Sequence, residues 1–441
     1  MADGKNIKRW DCEKLYSDLA NAKQQSRNEK LPLTLSAIEK DWLDRLLCGY
    51  SPDEMAEQLH REPKGLGVDL DRSIYRYVKI LTGKDETEPI EDSRNISRWL
   101  SEAGYKKRQD WGEALDISVF YGRTEELRKL KTWTMSEECR LVALFGMVGM
   151  GKTTLAVKLA EEISEKFKYV IWRSLNHAPY FPSFISDLEK FFSDKPKTDT
   201  IDSEKNHQDS ISSVKKHLQN HRCLVVLDGW DAILPSNVAD YEAYSQFWQW
   251  IGQTLHQSCL LLIGEQKPSE MGFLEGEKVR SLQLGSLGEA TKQIFLEKNL
   301  SNPEDWDILI ERYRGNPLVL KLIGDRIKNL FAGNVTQFLE QGTECGVIVP
   351  EVIKGLLQKQ FENLPELEYQ VICSLANYRQ PATFVDLLKV NPNLPMSNLL
   401  ETLSSLEGRS LVDVIINQGG ESSFTVQPLV MKYVIREEQA V

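Results

Sequence analysis

The sequence predicts a multidomain fold: a parallel α/β core, preceded by an all-α helix-turn-helix region and followed by a helical domain and a winged helix. Three observations predict it. The chain has 441 residues, too many for one ordinary domain and enough for three or four. Between Val119 and Leu287 five short apolar runs, "RLVALFG", "KYVIWRSL", "RCLVVLDG", "SCLLLIG" and "VRSLQLG", are mostly separated by amphipathic helical segments. That alternation is the pattern of a parallel sheet buried on both faces. On either side the apolar spacing is helical, until two strand-like runs flank a Gly-Gly turn in "SLVDVIINQGGESSFTVQPLV".

The elements follow in order. Residues 10–25 form a polar helix within an N-terminal segment, 1–30. Residues 31–85 form the helix-turn-helix domain. In "TLSAIEKDWLDRLLCGY" the residues Ile38, Trp42, Leu43, Leu46 and Leu47 share one stripe, with Ser36 at the cap. "SPDEMAEQL" is a short helix with Ser51 as N-cap and Pro52 in the first turn. "DLDRSIYRYVKILTG" is a third helix, stopped by Gly83, and it stands where a recognition helix would. Residues 86–116 are polar and read as a linker with one helix around Ser97–Ala103. The α/β domain spans 117–287, a helical domain 288–350, and the winged helix 351–441.

Composition bounds the function. Apolar residues are 41% and charged residues 27%, as in a soluble globular protein. No run of 18 apolar residues occurs, so no membrane span or membrane partner is expected. "MADGKNIKRWDCEK" lacks the apolar centre of a signal peptide. Seven cysteines lie dispersed, without metal-like spacing to the six histidines, which reads as free thiols in a reducing cytoplasm. The net charge of −11 argues against nucleic-acid binding by the whole molecule.

"GMVGMGKTT", Gly146 to Thr154, follows an apolar strand and opens a helix. This is the G-x-x-x-x-G-K-[ST] phosphate loop of a P-loop NTPase. Gly146, Gly149 and Gly151 let the backbone bend so that its N–H groups face phosphate oxygens, and the helix N-terminus adds partial positive charge. Lys152 neutralises the β- and γ-phosphates. Thr153 offers Mg²⁺ a hydroxyl, and Thr154 follows it in the first helical turn. Asp228 ends the apolar run "CLVVLD" and is expected to hold the same Mg²⁺, directly or through water; a helix cap is the alternative for such a carboxylate.

The phosphate loop, "VIWRSL", "LVVLDGWD" and "RGNPLVLKLIG" occur in an order and spacing that resembles the NB-ARC ATPases of the STAND class, over about residues 115–440. The helix-turn-helix resembles one fused to such ATPases in bacteria. The resemblance implies a switch: the winged helix folds back over bound ADP, and exchange for ATP lets the domains open and oligomerise. It implies that Pro317 of "GNP" packs near the adenine, besides serving as a first-turn proline. Val119 and Phe120, before "YGR", would line the adenine, with ordinary core residues as the alternative. Arg173 in "WRSL" would sense the γ-phosphate, with a surface salt bridge as the alternative.

Three places depart from the family. Gly229 follows Asp228 where a second acid is frequent; Asp231 is the nearest carboxylate that would reach a water. Glu265 stands where relatives carry an arginine on the γ-phosphate. Val426-Gln427-Pro428 replaces Met-His-Asp, and Gln427 can donate one hydrogen bond to a β-phosphate without charge. Binding of ADP or ATP with Mg²⁺ is therefore expected, with slow or partner-dependent hydrolysis. Relatives usually continue into a repeat array after the winged helix, and none follows here, so the expected sensor is the helix-turn-helix, another subunit, or absent.

The leading expectation is a cytoplasmic regulatory switch or adaptor in signal transduction. It would contact a protein through its N-terminal domain and form a nucleotide-dependent homo-oligomer. The alternatives are a nucleotide-controlled transcriptional regulator that binds DNA, and an active ATPase that drives assembly. For the DNA reading, Arg72, Arg76, Lys79, Tyr75 and Tyr77 lie on the third helix; against it, Asp69 and Asp71 stand at its start.

Overall fold

The computed structural model describes residues 10–27, 33–85, 90, 92–193, 207–234, 238–341, 348–362, 364–416 and 420–438. The chain divides into two compact units: one of Met1–Asp110, Ser164–Ile171 and Ser186–Cys223, the other of Trp111–Ile163, Trp172–Ile185 and Leu224–Val441.

The first unit begins with α1 (Cys12–Arg27), α2 (Ala37–Leu47), α3 (Pro52–Gln58) and α4 (Pro63–Leu70). A π-helical turn, Asp71–Tyr75, then leads directly into α5 (Arg76–Thr82), followed by α6 (Arg94–Glu102) and strand β1 (Arg108–Asp110). Ser36 and Ser51 each close a capping box, with Glu39 and Glu54 as reciprocal partners. Gly83 ends α5 in the left-handed conformation at φ 66°.

Three expectations change here. The helix expected to start near Asp69 starts at Pro63 and runs on into the π-helical turn, so Asp69 and Asp71 lie inside a continuous helical stretch, and Asp69 pairs with Arg61 at 2.7 Å. Ile38, expected in the core stripe, is 61% exposed. The helix expected around Ser97–Ala103 is present as α6, but it is packed rather than a linker: its Ile96, Trp99 and Leu100 share one apolar core with Leu15 and Leu19 of α1 and with Tyr75 and Tyr77. Charge in "KDETEPIEDSRN" obscures the three apolar residues that decide where α6 packs.

The α/β region alternates as expected. After α7 (Thr124–Lys131) come β2 (Leu141–Phe145), α8 (Lys152–Ile163), β3 (Tyr169–Ser174), α9 (Phe181–Phe192) and α10 (His207–Asn220). Next come β4 (Cys223–Asp228), α11 (Val238–Gln253), β5 (Cys259–Ile263), α12 (Met271–Leu274) and β6 (Val279–Gln283). The sheet has six strands in the order β1-β3-β4-β5-β2-β6, one more than the sequence announced, because β1 pairs in parallel with β3. β2 and β5 are buried throughout, which is why they read as unbroken apolar runs. In register, Leu144 and Asp228 both face Ile263. The C-terminal ends of β2, β4 and β5 therefore come level, and the turns that leave these strands meet at one sheet edge.

Helices continue with α13 (Thr291–Glu297), α14 (Trp306–Arg312), α15 (Pro317–Leu330), α16 (Val335–Gln341), α17 (Glu351–Glu362) and α18 (Glu366–Tyr378). The chain closes with β7 (Ala382–Thr383), α19 (Phe384–Val390), α20 (Met396–Gly408), β8 (Val412–Ile416), β9 (Ser422–Val426) and α21 (Pro428–Glu438). β7, β9 and β8 form a small antiparallel sheet, with Val412 opposite Val426, and this part is winged-helix-like. Among the described residues no helix is long and apolar enough to cross a membrane.

Candidate functional site

β2 ends at Phe145 and α8 begins at Lys152, with the glycine-rich turn between them. Gly146, Gly149 and Gly151 all have positive φ, at 147°, 82° and 87°. Gly149 also has no room for a side chain: a Cβ there would lie 2.7 Å from Asn316 Oδ1. Each carbonyl of the turn has a donor. Lys152 Nζ donates to Gly146 O (2.8 Å) and Met147 O (3.0 Å). Asn316 Nδ2 donates to Val148 O (2.9 Å) and Leu318 N to Gly149 O (3.3 Å). Arg123 Nη2 donates to Met150 O (3.0 Å), and Leu155 N to Gly151 O (2.9 Å).

Thr153 Oγ1 donates to Asp228 Oδ1 at 3.2 Å, which brings together the two residues expected to hold Mg²⁺. A hydroxyl and a carboxylate at this spacing, beside a phosphate loop, are the hard oxygen donors that Mg²⁺ prefers. Thr154 is half-buried in the same helical turn. Burial raises the pKa of Asp228, opposed by its bond from Thr153 and by the charge of Lys152. Burial also pushes the Lys152 ammonium down, while Glu265, Asp231 and Asp228 hold it up.

Asp231 is tied to the turn after β5. Its two oxygens accept from Glu265 N (2.7 Å) and Gln266 N (3.0 Å), so it fastens the turn after β5. Gly229 is left-handed at φ 79°, and a Cβ there would collide with the Asn176 carboxamide. The left-handed backbone here disfavours any side chain, while the exposed Asn176 carboxamide is free to shift. Glu265 lies just after β5. Burial pushes its carboxyl up to about 7, Lys152 pulls it down, and Asp231 adds to the rise.

The other expected residues take these places. Pro317 is the first residue of α15, and Asn316 is its N-cap. Val119 is 49% exposed and Phe120 half-buried, so neither is an ordinary core residue. Arg173 ends β3 half-buried, and its Nη1 donates to Trp172 O at 2.8 Å beside Gly112. Gln427 precedes α21, is buried, and hydrogen-bonds the side chain of Asp413. Burial raises the Asp413 carboxyl, while Arg314 and that bond lower it.

Gln427 and Asp413 line a cavity of about 460 Å³ together with Met147 and Met150 of the phosphate loop, Leu284 and Arg314. Beside it Gln283 Nε2 reaches Ser410 Oγ (3.1 Å), and Lys267 N reaches Gly408 O (2.9 Å). The winged helix is thereby packed against the strand ends of the α/β domain.

Sequence reasoning missed Asn316 and Arg123. Asn316 carried a readable signal, since an Asn before Pro at the head of an apolar helix is an N-cap. Its second bond carried none. Arg123 is 7% exposed, and its guanidinium joins Met150 O, Gly285 O, Ser286 O and Glu126. Nothing in "YGR" announces those partners.

Residues 123–246 match the NB-ARC domain. A WD repeat-containing protein of Nostoc sp. is 42% identical over 346 residues, covering 74% of this chain and 27% of that protein. A probable disease resistance protein of Arabidopsis thaliana is 25% identical over 213 residues, covering 46% of this chain and 26% of its own length. The chain thus spans about a quarter of the length of these curated relatives. Among solved structures, a Walker-type ATPase of Pyrococcus abyssi covers 72% of this chain and 96% of its own at 16% identity, with a TM-score of 0.49. A STAND protein with a tetratricopeptide repeat sensor from Pyrococcus horikoshii covers 74% of this chain and 44% of its own at 18% identity, with a TM-score of 0.39.

Proposed function

We propose that this chain, whose residues 123–246 match the NB-ARC domain, is a STAND-class P-loop NTPase and acts as a regulatory switch set by ADP and ATP. One observation carries the reading: Gln427 and Asp413 of the winged helix line the same cavity as Met147 and Met150 of the phosphate loop. A ligand at the loop and the position of the winged helix are then coupled through shared contacts.

In the closed state ADP binds the loop through backbone N–H groups and Lys152. Thr153 and Asp228 hold Mg²⁺, which when bound neutralises phosphate charge. Glu265 places a carboxylate beside Lys152, where a γ-phosphate would add like charge, so the closed form prefers ADP. Hydrolysis is slow, because Gly229 follows Asp228 where a second acid would act. Opening on ATP exposes surfaces for a homo-oligomer.

The N-terminal unit contacts a protein rather than DNA. Supporting this, Tyr75, Tyr77 and Lys79 are buried, leaving Arg72 and Arg76 exposed among the five residues of the DNA reading.

The test is to denature the purified protein and identify the released nucleotide by chromatography. ADP at near-stoichiometric amount is the expected result. Lys152→Ala should release none and should show no ADP binding by calorimetry. A nucleotide-free wild type that also ignores added ADP would overturn the reading.

A further inference from the structure

The outer side of the phosphate loop is held by groups that no ligand needs to displace. Lys152 must leave Gly146 O and Met147 O to meet a phosphate, but Asn316, Leu318 and Arg123 need not leave Val148 O, Gly149 O and Met150 O. In a trans peptide the C=O and the following N–H point in opposite directions. Holding the carbonyls of Val148 and Met150 outward therefore aims the N–H groups of Gly149 and Gly151 at the concave side. Met150 N makes only a long bond, 3.4 Å, to Met147 O.

Two of these three holds come from the first turn of α15. Asn316 is 1% exposed and uses both ends of its carboxamide. Oδ1 accepts from Val319 N at 3.2 Å and caps the helix, while Nδ2 grips Val148 O at 2.9 Å. The same side chain fills the space that a Cβ on Gly149 would need. We propose that Asn316 is the positioning residue through which the helical domain sets phosphate affinity, its one carboxamide joining the N-terminus of α15 to the shape of the phosphate loop. This rests on the nucleotide-switch reading above and adds its internal linkage. Displacing α15 frees the carbonyls of Val148 and Gly149, the loop N–H groups lose their aim, and a diphosphate is held less tightly. By reciprocity, a bound diphosphate holds α15 in place.

Asn316→Ser separates the two bonds, because serine is a good N-cap and its shorter side chain does not reach Val148 O. Asn316→Asp keeps the size and the cap but turns the donor into an acceptor facing that carbonyl. Calorimetry with ADP and with AMP on the full chain tests the proposal. The ADP affinity should fall about tenfold in Asn316→Ser and further in Asn316→Asp, with AMP affinity changed much less. A merely structural role would shift the melting temperature and leave the ratio of ADP to AMP affinity alone. A wild type that does not bind ADP removes the switch reading itself. A wild type that binds ADP, with both variants keeping its ADP-to-AMP ratio, overturns this inference alone. If Asn316→Ser does not fold, Asn316→Asp decides by the same ratio.

Discussion

Glu265 should make the stability of the nucleotide-binding region fall as pH rises toward neutrality. Its carboxyl has an ordinary value of 4.5 and is pushed to about 7 in the fold, chiefly by burial. Between those two pH values the native state holds a proton that the unfolded chain has released. Stability contributed by this group is thus complete below 4.5, declines through the window, and is lost above about 7. At about 1.4 kcal/mol per pH unit the interval amounts to about 3 kcal/mol. Glu265→Gln keeps the shape and removes the titration. The stability of the variant relative to wild type should rise by about 2–3 kcal/mol between pH 5 and pH 8. Urea unfolding at both pH values, followed by tryptophan fluorescence, measures the gap; Trp172 and Trp230 are buried reporters in the same region. Asp228 and Asp231 also titrate upward from burial, but they are present in both chains and largely cancel in the difference. A gap that is the same at pH 5 and pH 8 would refute the reasoning. ATP should also bind the variant more tightly at pH 8, where the lost charge matters most.

Phosphate release by the isolated chain should stay below the ~1 per second of ordinary enzymes, and several turnovers per second that vanish in Asp228→Ala would contradict this. Gly229→Asp should lower stability in thermal unfolding by about 1 kcal/mol or more, the cost of a side chain in the left-handed backbone, and an unchanged melting temperature would contradict this. Mobility-shift assays of the full chain at physiological salt should show no DNA complex, and a complex abolished by Arg76→Glu would favour the regulator reading instead. Gln427→Ala should speed release of a fluorescent ADP analogue about tenfold, the worth of one charge-assisted hydrogen bond, and an unchanged rate would separate the winged helix from nucleotide retention.

Some of this was legible because its physics is local. The glycine spacing of "GMVGMGKTT" specifies a backbone path within nine residues, and all three of its glycines adopt the positive φ that path needs. Ser36 with Glu39, and Ser51 with Glu54, complete caps inside one helical turn. Buried strands announce themselves as apolar runs whatever they pair with. Where α6 packs was not legible: three apolar residues in a charged stretch are too few to outweigh the composition around them. The five-residue π turn at Asp71–Tyr75 also left no mark in the spacing, and it lies just after the residues where the third helix seemed to begin.

The sequence by itself determined the fold class and the glycine-rich turn between β2 and α8, because each is written in local patterns of apolar runs and glycines. Tertiary structure alone decided which groups hold that loop, since Asn316 meets Val148 across 168 positions. It also decided that Asp231 accepts from the backbone N–H groups of Glu265 and Gln266, and that the Asn176 carboxamide lies beside Gly229. A hydrogen-bonding side chain advertises its capacity in the sequence but not its partner. The partner is chosen when buried polar atoms must be satisfied by whatever the packed strands and helices bring within reach.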